Sequence, residues 1–430
     1  MRKLSQFIWL FTLLSAPAMA QSKRLWVLRA PGEMVEYDSA TFAVKQTVKV
    51  PAEAVKSPGR IAVNQAGQIL YAPAVSLPLS DEDIASAHKI WIWNGHAATS
   101  LDQGVQHKVE ETGSNHAVTE SAPMVNLSAD GAHLFWFATE ARRLEREGID
   151  LSLSGNWRAW RTDLTGEGRE EIASTKIPEC RCTTGTCEET CPEIAMWAPA
   201  EGLGDFFLML QTISGQVTTT YKPSTLYQKQ AGKWTAAAMS ESLQSVLDAA
   251  ADGTVIVEAI PDTGCCGWSN ESDDQTLVLA GAKKLTVFDE RAAYKNPDYD
   301  VSFHTLDARL SPELGMVAMT ITATATPDKP IQLADEGQAN PEESAAIRKA
   351  LAELPAVSVK SIDVKSGDVI NPNYAPKQAA FVPRASLVGW ISEKELLIVE
   401  DHLLVVYNVN TGVRRKTGVK VEDAAHVFLR

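Results

Sequence analysis

Residues 388–418 read VGWISEKELLIVEDHLLVVYNVNTGVRRKTG, and this stretch decides the fold. An apolar run turns at Ser392-Glu393-Lys394 into a second apolar run. A more exposed pair follows, turning at Asn410-Thr411-Gly412. Apolar residues alternating with polar ones at period 2, punctuated by Gly, Asn and Asp, mark half-buried antiparallel strands. Two such hairpins in succession make one four-stranded antiparallel sheet, the unit of a propeller blade.

Working outward, the inner half of this phrase recurs at 63–71, 125–137, 197–210, 246–259 and 308–320. With Gly67, Gly131, Gly204, Gly253, Gly315 and Lys394 as landmarks, the spacings are 64, 73, 49, 62 and 79 residues. Repetition with variable insertions indicates an array whose units cannot bury their faces alone. The outer hairpins fall at 89–101, 157–173, 276–288, 357–370 and 403–418, with a weaker copy at 225–239 around Gly232. That accounts for six blades.

The chain ends supply a seventh. Residues 25–50 hold three strands, LWVLR, MVEYD and FAVKQTVKV, with no inner strand before them, and AHVFLR (425–430) has no partner of its own. Three plus one makes a blade, and this pairing hides edges that would otherwise invite aggregation. The expected fold is therefore all-β: a seven-bladed β-propeller of four-stranded antiparallel blades, closed by pairing the C-terminal strand with the N-terminal strands. Residues 21–430 form one domain, with long loop insertions on one face.

The turn Ser128-Ala129-Asp130-Gly131, with looser copies at Ala251-Asp252-Gly253 and Ser311-Pro312-Glu313-Leu314-Gly315, resembles the Ser-x-Asp-Gly turn of WD40-like β-propeller repeats in exported bacterial proteins. The resemblance is at the level of the fold. It implies scaffold and binding roles and transfers no catalytic residues. The Gly-His…Trp-Asp pattern of intracellular WD repeats is missing.

Residues 1–20 read as a signal peptide: Arg2 and Lys3, an apolar core from Phe7 to Leu14, and a small-x-small site at Ala18-Met19-Ala20. Its apolar core is too short to span a bilayer, and no later run is longer, so no transmembrane anchor is expected. The expected location is exported, periplasmic or extracellular. A net charge of −14 without basic runs argues against nucleic acid as a partner.

Connection lengths are lopsided. Turns within hairpins take a few residues, whereas 72–88, 103–122, 138–156, 175–193, 260–275, 290–305, 322–356 and 371–385 read as long connections. Strand parity puts all of these at one end of the disc. Loops of that length on a rigid scaffold carry function. One holds a helix starting at Asn340-Pro341, with Ile347, Leu351 and Leu354 as its apolar stripe and Pro355 as its stop; packing of that stripe on a blade is preferred to a lid.

Six cysteines occupy two of these loops: Cys180, Cys182, Cys187 and Cys191, and the adjacent pair Cys265-Cys266. Four clustered thiols would suit zinc in a reducing compartment, but export reverses that preference in favour of disulfides. Spacing does not fix the pairing. Beside the second pair, Trp268, Asp273 and Asp274 are the candidate binding residues. Glu271, Asp273 and Asp274 have the hard oxygens for calcium but not the D-x-D-x-D-G spacing, so no metal and no cofactor is expected. Motifs for nucleophilic, metal-dependent or phosphate-cradling chemistry are missing. The sequence thus points to an envelope-associated binding or assembly scaffold acting through its long-loop face on a protein, glycan or small-molecule ligand. The alternative is an enzyme, a hydrolase, lyase or oxidoreductase, with its site at the mouth of the central channel.

Overall fold

The computed structural model describes residues 23–50, 52–56, 61–64, 66–71, 89–93, 98–102, 106–112, 115–121, 124–128, 132–146, 152–181, 194–203, 205–214, 219–237, 242–260, 275–281, 283–289, 301–325, 341–363 and 377–430. Apart from short helices, these residues form antiparallel sheets: six of four strands and one of six.

Strands β1 (Arg24–Arg29), β2 (Glu33–Asp38) and β3 (Val44–Lys49) form a meander. A second meander follows: β4 (Ile61–Val63), β5 (Ile69–Tyr71), β6 (Lys89–Trp93) and β7 (Ala98–Asp102). The six-stranded sheet contains β8 (Gln106–Thr112), β9 (Asn115–Ser121), β10 (Met124–Leu127), β11 (Leu134–Arg146), β12 (Ser152–Thr162) and β13 (Glu170–Arg181). Next come β14 (Ile194–Leu203), β15 (Phe206–Ser214), β16 (Thr219–Gln230) and β17 (Lys233–Ala237). They are followed by β18 (Ser242–Ala249), β19 (Thr254–Ile260), β20 (Gln275–Ala280) and β21 (Lys283–Asp289). Then β22 (Val301–Leu310) and β23 (Met316–Ala325) lead through the helix Pro341–Ala352 to β24 (Ala356–Ser361) and β25 (Lys377–Pro383). The last full meander is β26 (Ala385–Ser392), β27 (Glu395–Glu400), β28 (Leu403–Asn408) and β29 (Arg414–Lys420). Finally β30 (Val427–Leu429) pairs antiparallel with β1, Leu25 opposite Leu429, Trp26 opposite Phe428 and Val27 opposite Val427.

The first strands of successive sheets lie side by side: β10 by β14, β14 by β18, β18 by β22, β22 by β26 and β26 by β30. First strands that converge while each sheet runs outward from them give the radial layout of β-propeller blades. The core is made between sheets, as the sequence pattern requires. Phe206, Leu208 and Leu226 pack against Val246, Val255 and Val257, and Trp390 and Leu387 against Val357 and Val359.

The turns explain the repeat. The buried hydroxyl of Ser128 accepts from the amides of Ala132 and His133, and that of Ser311 from Gly315 and Met316, all at 2.9–3.1 Å. Asn64 does the same with its side-chain oxygen on the Gln68 amide at 2.8 Å. A small buried acceptor at the end of the first strand satisfies amides that the hairpin leaves unpaired.

Three expectations need correcting. The connection 103–122 is a hairpin, β8–β9, and it adds to the upper half of β11, where Ser121 faces Glu140 and Asn115 faces Arg146. This is why one sheet has six strands. The segments 138–156 and 175–193 are in part strand, because β11, β12 and β13 run on past the blade as a long twisted ribbon. In the sheet of β22 to β25, the partner of β24 is Lys377–Pro383 and not residues 364–370, so the sequence reading closed that outer hairpin too early. The helix behaves as expected: Ile347 is buried and, with Leu351 and Leu354, packs on Phe303 and its neighbours.

Candidate functional site

Where the first strands converge there is a cavity of about 830 Å³, a size that suits a small ligand. It opens at the end where first and second strands are joined, beside the turn Ala250–Gly253. Its charged lining includes Lys23 and Arg430, which flank β1 and β30, Asp248 near the end of β18, Arg309 near the end of β22, and Asp205 and Lys229 of the β14–β17 sheet.

Bulges put these side chains there. Against their partner strands, β18 skips Leu247 and β22 skips Leu306, and each skipped residue precedes an aspartate. β26 likewise skips Val388, beside the cavity-lining Gly389. A bulge re-aims the following side chain and sharpens strand twist, which is how a first strand bends around a crowded axis.

Hydrogen bonds link the sheets across this centre. The Lys23 ammonium donates to the Trp390 carbonyl oxygen at 2.5 Å, and the Trp390 indole donates to the Arg309 carbonyl oxygen at 3.0 Å. Arg309 donates to the Leu247 carbonyl oxygen at 2.5 Å and pairs with Asp307 at 2.6 Å. Asp248 accepts from the Leu310 amide at 2.7 Å, and Arg430 donates to the Val63 carbonyl oxygen at 3.0 Å.

Burial sets the electrostatics. It pushes Asp307 up to about 6 against the pull of Arg309, with Asp248 adding to the rise. It also raises Asp248, opposed by Arg309 and two backbone amides. The Lys23 ammonium is pushed down by burial, partly offset by Asp248. Asp307 nonetheless keeps 26% of its side chain accessible, so its proton can exchange with solvent.

A second charged group bridges the sheets of β10–β13 and β14–β17 beside the cavity. Arg161 pairs with Glu170 and with Asp205, both at 2.8 Å, Lys229 pairs with Glu170, and the Arg161 guanidinium lies 5.2 Å from the Trp234 ring centre. Glu170 is held below the usual carboxylate range, first by its hydrogen bond from Lys229. The group is saturated internally and reads as a clamp between sheets.

No family model matches the chain, and no curated protein is similar to it in sequence. Among solved structures, it is similar to the β-propeller domain of the Trilobed protease from Pyrococcus furiosus, with 11% identity, 90% of each chain covered and a TM-score of 0.38. It is similar to apo AztD from Citrobacter koseri, with 9% identity, 95% of this chain and 98% of that one covered and a TM-score of 0.40. It also resembles Pyrococcus horikoshii acylaminoacyl peptidase, with 11% identity and a TM-score of 0.39; 89% of this chain aligns with 47% of that one. Likeness at this level carries nothing about ligand or reaction.

The sequence-derived candidates fare differently. Trp268, Asp273, Asp274, Cys182, Cys187, Cys191, Cys265 and Cys266 lie outside the described residues. Cys180 sits in β13, opposite Leu153 of β12. Cys180, the one candidate among the described residues, does not line the cavity. Lys23, Asp248, Asp307, Arg309 and Arg430 were missed, although charged residues inside an apolar first strand were a usable signal.

Proposed function

We propose that this chain is an exported seven-bladed β-propeller that works as a binding module, with its ligand held in the cavity between the first strands. The observation that carries the reading is the convergence of Lys23, Asp248, Arg309 and Arg430 from three sheets on one space of about 830 Å³. The β1–β30 pairing supports a ring closed by one strand from the far end of the chain. Export rests on the charged, apolar and small-residue pattern of residues 1–20.

The long-loop end belongs to the same proposal as a docking face for a protein or glycan partner at the envelope, with Trp268, Asp273 and Asp274 in its surface. It is supported by connection lengths and by the enrichment of aromatic side chains at interface hot spots. Trp268→Ala should abolish partner binding without unfolding the chain, whereas changes at Asn94-Gly95 on the opposite end should not.

The cavity reading is tested by thermal shift with a panel of oxyanions, amines and neutral sugars on the wild type and on Ala251→Trp, whose indole would fill the mouth. At least one solute should raise the wild-type Tm and leave the variant unmoved. A panel with no such solute overturns the reading.

One observation favours an enzyme instead. Asp307, raised by burial to about 6, is a side chain fit to exchange protons near neutral pH, and burial also raises the neighbouring Asp248. An enzyme would show turnover of a cavity ligand that Asp307→Asn abolishes while binding is retained.

A further inference from the structure

We infer that the cavity between the first strands binds a small oxyanion, a phosphate or a carboxylate, through the Lys23 ammonium. This rests on the cavity being the ligand site and adds the class of ligand. An ammonium has three hydrogens to donate. One goes to the Trp390 carbonyl oxygen, and among the described residues Lys23 has no ion-pair partner. Lys23 is half-buried at the cavity, where an oxyanion would make charge-assisted hydrogen bonds to its ammonium.

The surrounding charges point the same way. The charged lining is Lys23, Lys229, Arg309 and Arg430 against Asp205, Asp248 and Asp252. The acids are already engaged: Asp205 by Arg161, Asp248 by the Leu310 amide, Asp252 by the Thr254 amide and, behind the lining, Asp307 by Arg309. The two arginines are tied to backbone carbonyls, Arg309 to Leu247 and Arg430 to Val63, so their positive charges are fixed in place before a ligand arrives. The rival account of Lys23 is a latch that only ties the segment before β1 to β26.

The test is calorimetric titration of the full chain with inorganic phosphate, succinate, putrescine and glycerol, using the wild type, Lys23→Gln, Lys23→Arg and Ala251→Trp. Phosphate or succinate should bind the wild type, and whichever binds identifies the source. Affinity should fall at least tenfold in Lys23→Gln and Ala251→Trp and change little in Lys23→Arg. Should Lys23→Gln not fold, acetylation of Lys23 in the wild type, read by mass spectrometry, decides: phosphate or succinate must protect it. No binding of either oxyanion, binding indifferent to Lys23→Gln, or no protection overturns the inference. If putrescine or glycerol alone binds, and Ala251→Trp abolishes that binding, the oxyanion fails while the cavity reading stands. If nothing binds, both fail.

Discussion

Phe42 and Gly412 hold the same place in two equivalent turns. In each, an acceptor side chain four residues earlier, Asp38 or Asn408, takes the next two turn amides at 2.9–3.1 Å, and the residue in question donates its amide to that acceptor's carbonyl oxygen at 2.8 Å. Both adopt the left-handed region, at φ 59° and 71°. Gly412 does so without strain. Phe42 accepts it and gains burial, with its ring among Val419, Val421 and Tyr37.

Alanine should therefore destabilise both positions, for different reasons and to different degrees. Nothing lies within 4 Å of a Cβ at Gly412, so Gly412→Ala should cost ~1 kcal/mol from backbone strain alone. Phe42→Ala keeps the strain and loses the packing, for a loss of ~3 kcal/mol. Phe42→Gly should recover ~1 kcal/mol of that. Urea denaturation of the three variants measures the order, and Phe42→Gly less stable than Phe42→Ala would contradict it.

Strand β30 should be essential despite its length. Removing 422–430 uncovers Leu25, Trp26 and Val27, all fully buried, and withdraws the buried Val427 and Phe428. At ~2 kcal/mol per side chain removed from water, the loss is large enough to lower Tm by about 10 °C or to prevent folding. A truncated chain melting like the parent would refute the pairing's role.

Asp307 should make the fold pH-dependent in an unusual sense. Its carboxyl is raised from 3.8 to about 6, so the folded chain holds that proton more tightly than the unfolded chain does. Stability then falls as pH rises from about 4 to about 6, the reverse of a salt-bridged carboxylate. Asp307→Asn removes this slope. The stability difference between variant and parent should drift in the variant's favour by roughly 1–3 kcal/mol between about pH 4 and about pH 7. A flat difference across that range would show that Asp307 does not titrate as described.

The proposed export makes an oxidised state the expectation for the six cysteines. Thiol counting under denaturing, non-reducing conditions should find none free. Four reactive thiols with stoichiometric zinc would establish a metal site instead.

Much of the fold was legible because sheets with one buried face write their period into sequence. VGWISEKELLIVE gave β26 and β27 almost to the residue. The ribbon of β11 and β12 was not, since LFWFATEARRLER turns polar halfway and a solvated strand looks like a loop. KQAAFVP was missed as β25 because its outer face is exposed and little alternation survives. The cavity escaped for a different reason. Asp248 and Arg309 each bond a partner 62 positions away, Leu310 and Leu247, but nothing in the local pattern says that β18 and β22 turn the same edge to a common centre. Convergence is a property of how the sheets are arranged, and bulges at Leu247 and Leu306 shift the parity from which such side chains would be read.

The bond from Lys23 to Trp390 spans 367 positions, and β1 is completed only by β30. Among the described strands, the earliest to be synthesised must wait for the latest. During that interval Trp26 and its neighbours have no cover, and closing so distant a pairing is slow. The waiting form is the one that proteases, chaperones or a second unfinished copy would meet, so yield during production should depend on how long it persists more than on the stability of the finished fold.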